Sequence, residues 1–149
     1  HSFPTRRSSD LVFIHMTGYY AKTLGTPGAR VLSNALEKIK AKTIIKGSCY
    51  DWISLVYREC GYTGENRVKV FFGKESGPFA DASALRPGDW IMFRNLTYGA
   101  IGHSGIFLDW LDYDSRSAIV IGYAGQSRTT PGRFREYDIS GLFGIYRGR

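Results

Sequence analysis

The chain is poor in the residues that hold metals, phosphates or disulfide frameworks. It has two cysteines, Cys49 and Cys60, and three histidines. No Cys/His clusters have zinc spacing, and Asp109, Asp112 and Asp114 lack the ligand order of a calcium loop, so neither a metal nor another cofactor is expected. A phosphate loop and a dinucleotide fingerprint are both missing. No apolar run approaches the roughly 18 residues of a membrane span, so no transmembrane segment is expected. Leu11–Met16 is too short for the apolar core of a secretory leader. Repeats, low-complexity stretches and linkers are also absent. A length of 149 residues therefore reads as one domain, large enough to bury a core.

What is present is aromatic, glycine-rich and basic. Ten Tyr, nine Phe, three Trp and 18 Gly suit a β-containing fold with many turns. Twenty Lys and Arg against 13 Asp and Glu give a net charge of +7, spread along the chain. Such a balance fits a soluble basic surface or an anionic partner, such as nucleic acid or a cell-wall polymer. No basic–aromatic binding motif is found, so nucleic acid is not expected. Arg128, Arg133 and Arg135 could meet an anionic substrate, though loop arginines need no special role.

Residues 1–11 carry no periodicity and resemble translated sequencing-adapter sequence. They are set apart from the fold, and a native N-terminus with any export signal is expected to lie outside this sequence. Residues 12–27 read as a lead-in and 28–149 as the single domain. From Pro27 to about Lys40, Val31, Leu32, Ala35, Leu36 and Ile39 form the apolar stripe of a helix. After Gly61 the pattern shortens to strands: Val68–Phe72, Trp90–Phe93, His103–Leu111, Ala118–Tyr123, Phe134–Ile139 and Leu142–Tyr146. Helices followed by an antiparallel meander of five to six strands make an α+β domain, expected to be monomeric.

Between these parts lies Lys46–Gly61. Ser48 is placed to cap a helix, and Asp51 three residues later completes a capping box. Cys49, Trp52, Ile53, Val56, Tyr57 and Cys60 then fall on one apolar stripe, and Gly61 ends the helix. Cys49 and Cys60 would stand roughly 16 Å apart on such a helix, too far for a disulfide. Cys49 sits where unpaired N–H groups and the dipole favour a thiolate. The alternative is a small buried hydrophobe. His103, the only histidine after residue 15, opens a strand behind a glycine loop. A cysteine at a helix start and a histidine at a strand start are the pair that a thiol nucleophile and its base require.

Gly47-Ser-Cys49-Tyr-Asp-Trp-Ile-Ser-Leu-Val-Tyr-Arg-Glu-Cys-Gly-Tyr62 resembles the cysteine helix of NlpC-type cysteine peptidases. Leu85-Arg-Pro-Gly-Asp-Trp-Ile-Met-Phe93 resembles their Pro-Gly-Asp strand, and Ile101-Gly-His-Ser-Gly-Ile-Phe-Leu108 their histidine strand, in the family's order. The resemblance, which covers about residues 28–149, implies a papain-like fold and hydrolysis of a peptide or amide bond in bacterial peptidoglycan. It also favours a place outside the cytoplasm, at the cell envelope. Cys49 would be the nucleophile and His103 the base. Tyr123 or Gln126 would orient the imidazole, and the Cys49 N–H, flanked by Ser48 and Tyr50, would serve the oxyanion. Asp51, Ser104 and Arg128 are expected at the substrate. Ser48 stands where the family has Asp, and Tyr50-Asp51 where it has Ser-Gly. The other expectation is therefore a catalytically silent module that binds an anionic cell-wall polymer.

Overall fold

Residues 6–23, 25–95, 101–125 and 129–149 are described in the computed structural model. Helices come first: α1 (Arg6–Thr23), α2 (Pro27–Lys40) and α3 (Cys49–Glu59). The strands are β1 (Arg67–Phe72), β2 (Trp90–Asn95), β3 (Ile101–Asp112), β4 (Ser117–Gly122), β5 (Arg133–Asp138) and β6 (Leu142–Gly148). The class is α+β, with the helices packed on an antiparallel sheet ordered β1-β6-β2-β3-β4-β5. Only β2 to β5 follow the expected meander. The last strand inserts between β1 and β2, pairing with both.

Two apolar layers flank this sheet, and strand alternation decides which residue enters which. Trp90, Ile106, Leu108, Ile119, Ile121, Tyr123 and Phe134 join the helix residues Leu32, Ile53 and Val56 in one layer. Ile91, Phe93, Phe107, Val120, Tyr137 and Ile145 form the other, closed by Leu85 and Ile139 from the connections. Burial of each large side chain contributes about 1.5–3 kcal/mol. The stripes read from sequence for α2 and α3 are the ones that are buried.

Sequence marks residues 12–27 only as a lead-in, and helix α1 occupies them as far as Thr23. Phe13, Met16, Tyr20 and Ala21 pack on the helix-side core, and Phe13 meets Phe134 with ring centroids 5.7 Å apart. Their i, i+3, i+7, i+8 spacing was the available signal, obscured by Leu11, Val12 and Tyr19, which stay exposed.

The Pro-Gly-Asp turn locks the helices to the sheet. A Cβ on Gly28 would stand 2.1 Å from the Pro87 carbonyl oxygen, and one on Gly88 2.4 Å from the Gly28 Cα. The start of α2 therefore rests backbone to backbone on this turn. Asp89, 1% exposed, accepts from the Arg86 N–H at 2.8 Å and from the Arg147 guanidinium at 2.8 and 2.7 Å. Tyr57 of α3 donates to the Gly88 carbonyl at 2.7 Å, fixing the helix on the same turn.

Candidate functional site

The start of α3 is built as its sequence suggests. Gly47 has φ +124°, and a Cβ there would strike the Asp51 carboxylate at 2.4 Å. Asp51 accepts from the Ser48 N–H at 2.8 Å, and the Ser48 hydroxyl donates to the same oxygen at 3.0 Å. These bonds hold the Asp51 carboxyl below its usual range, the backbone N–H counting most. Asp51, expected at the substrate, is thus occupied in capping. Cys49 is the first residue of the helix, half-buried, on the stripe that faces the sheet. Tyr50 is 47% exposed, its ring 4.9 Å from that of Trp90.

Tyr123 positions this helix start and does not orient a histidine. Buried just past β4, its hydroxyl donates to the Ile45 carbonyl at 2.9 Å and accepts from the Ile45 N–H at 3.0 Å. Its ring lies parallel to Trp52, with centroids 6.0 Å apart. The connection between α2 and α3 is thereby tied to the helix-facing side of the sheet.

His103 is on the other side. It pairs with Phe93, while Ser104 pairs with Met92 and Ile106 with Trp90. Because successive side chains alternate, Ser104 shares the helix-facing side with Ile106, and His103 shares the opposite side with Phe107. The imidazole accordingly contacts Phe93 and Tyr137, both at 5.5 Å between ring centroids. Its Nε2 lies 3.4 Å from the Tyr137 hydroxyl. Burial lowers its proton affinity below the usual histidine value, with Arg133 and then Arg135 adding to the effect. The sheet therefore separates the Cys49 thiol from the imidazole, and the expected dyad is not assembled. Ser104 is buried on the helix-facing side, beside Ile106 in the alternation of β3.

Gln126 and Arg128 lie outside the described residues. Tyr137 was not anticipated from sequence as the partner of His103. Alternation along β5 groups it with Arg133 and Arg135, but finding its neighbour required the register of three strands. Among the described residues, no group of three or more His, Cys, Asp or Glu is placed to hold a metal. No described helix is long and apolar enough to cross a membrane.

No protein-family model matches the chain, and neither the curated proteins nor the solved structures yield a match. The resemblance to NlpC-type peptidases therefore has no support beyond the three sequence motifs.

Proposed function

We propose that this protein is a catalytically silent, papain-like module that binds an anionic cell-wall polymer. The observation that carries this reading is the separation of Cys49 and His103 by the sheet. A thiol–imidazole hydrolase needs the two within hydrogen-bond reach. A binding surface is available beside α3, on the helix-facing side. Tyr50, Trp90, Tyr146 and Phe72 follow one another with ring centroids 4.9, 5.2 and 5.7 Å apart. The Arg67 guanidinium lies 4.9 Å from the Trp90 ring, and the Lys69 ammonium 5.2 Å from Phe72. Tyr50 and Phe72 are exposed. The exposed rings of Tyr50 and Phe72 offer stacking faces to sugars, with Trp90 fully buried between them and the core, and the cations answer the charge of the polymer.

Co-sedimentation with wall sacculi bearing teichoic acid tests this. Binding is expected at low salt, to weaken as salt rises, and to fall in Tyr50→Ala and Phe72→Ala. Failure of the wild type to sediment at low salt would refute the reading.

The half-buried thiol at the first residue of α3 favours a second reading, a hydrolase that cleaves a peptide or amide bond through a Cys49 acyl-enzyme. The thiolate would attack the carbonyl, expel the amine and be freed by water. It asks for a base other than His103. Release of wall peptides that stops in Cys49→Ala would select this reading over the first.

A further inference from the structure

On the sheet face away from the helices, three neighbouring strands bring cationic and hydrogen-bonding groups together around His103. In β5, Arg133 pairs with Gly122, Arg135 with Val120 and Tyr137 with Ala118. These three share the face of Val120, whereas Glu136 and Asp138 alternate to the other side. Glu136 accepts there from the Ser117 hydroxyl at 2.7 Å, and Asp138 caps Ser140. The strand thus sorts its charges by sign: both arginines on one face, both carboxylates on the other. His103 reaches the same face from β3. Gly122 of β4 lies between it and Arg133, and a Cβ at Gly122 would stand 3.6 Å from the His103 Nε2. With no side chain at Gly122, the imidazole rests over that strand position, toward the strand that carries Arg133. The Tyr137 hydroxyl lies 3.4 Å from its Nε2, and Arg135 lies over the Tyr137 ring at 6.0 Å.

We propose that His103, Tyr137, Arg133 and Arg135 form a site for a phosphoryl group, free or carried on a larger ligand. Two guanidiniums, an imidazole and a phenol supply planar and pointed donors suited to a tetrahedral dianion. The face is positive in the absence of ligand: both arginines oppose protonation of His103, behind the larger effect of burial. Among the described residues, Phe93 from β2 and Gly122 from β4, which also meet the ring, carry no charge. A dianion bound among these groups reverses that field and favours the imidazolium, whose N–H groups then donate. Phosphate and the His103 proton therefore bind together. This site lies across the sheet from the Tyr50–Phe72 surface and does not depend on the reading proposed for it.

Inorganic phosphate is the probe. The imidazole resonances of His103 are titrated against pH by NMR, with phosphate or with chloride at matched ionic strength. The expected result is a saturable shift of the His103 resonances with phosphate and a higher apparent pKa in its presence. Arg135→Ala should weaken phosphate binding about tenfold or more. Arg135→Lys should fall between Arg135→Ala and the wild type, and Lys22→Ala, at the exposed end of α1, should leave phosphate affinity unchanged. Unfolded Arg135 variants would show in the NMR spectra, and the wild-type titration alone still decides. The proposal is overturned if phosphate moves the His103 resonances no more than chloride does, or if a folded Arg135→Ala binds phosphate as the wild type does.

Discussion

Replacing Arg147 with Ala should expose how strongly the Pro-Gly-Asp turn is held. Asp89 is 1% exposed and takes two hydrogen bonds from the Arg147 guanidinium, at 2.8 and 2.7 Å. Without Arg147 the Asp89 carboxylate keeps only the Arg86 N–H among its observed donors. Breaking a buried pair from one side costs about 3–5 kcal/mol. The Arg147 side chain is 21% exposed, so water can enter and the low end, about 3 kcal/mol, is expected. The cost should depend on pH. Burial raises the Asp89 carboxyl above its ordinary value, outweighing the opposing pull of Arg147 and Arg86. A carboxyl raised on folding contributes stability at low pH that is lost as pH rises through its folded value. Removing Arg147 raises it further. Arg147→Ala and the wild type should therefore differ least below the ordinary aspartate value of about 4, where the carboxyl is protonated folded and unfolded, and most at neutral pH. Urea unfolding at a series of pH values measures the gap. Adding Asp89→Asn to Arg147→Ala should recover part of the loss at neutral pH. A neutral-pH cost below about 1 kcal/mol, or one equal at both ends of the series, would refute the reasoning.

The close approach of α2 to the turn gives a second expectation: Gly28→Ala should lower stability by about 1–3 kcal/mol, visible as a drop in melting temperature. The thiols should separate kinetically. Cys49 is half-exposed, whereas Cys60 is buried with its thiol directed at the Arg30 carbonyl, and burial raises its pKa. A thiol reagent should label Cys49 first and Cys60 only on unfolding. Tyr20 donates to the Asp109 carboxylate, and that bond, with burial adding, raises its pKa to about 12. Its contribution to stability is therefore present below the ordinary tyrosine value near 10 and lost as pH rises through about 12. Ultraviolet titration should show this late phenol, and Asp109→Asn should bring it down.

The helix stripes of α2 and α3 were legible because burial follows a 3.6-residue period, and the cap at Ser48 because its chemistry is local. Strand cores were also found, with ends missed by one or two residues where alternation fades into turns. The insertion of β6 between β1 and β2 was not legible: pairing between distant strands leaves no mark in local periodicity. The candidate site failed for a related reason. Cys49 was placed correctly at the start of α3, but a motif records that a histidine opens a strand, not which face it takes. One position decides that, since Ser104 and His103 point to opposite sides. Tyr123 illustrates the same limit. It was read as the last residue of the β4 strand and falls one position past it, and its hydroxyl serves the Ile45 backbone and not an imidazole.

The separation of the thiol from the imidazole is tested most directly by the rate of Cys49 alkylation as a function of pH. Iodoacetamide modification, followed at the Cys49 peptide by mass spectrometry, can be compared between the wild type and His103→Ala. With the sheet between them, the two pH profiles should superimpose. A wild-type inflection in the histidine range that disappears in His103→Ala would place the imidazole against the thiol and contradict the account.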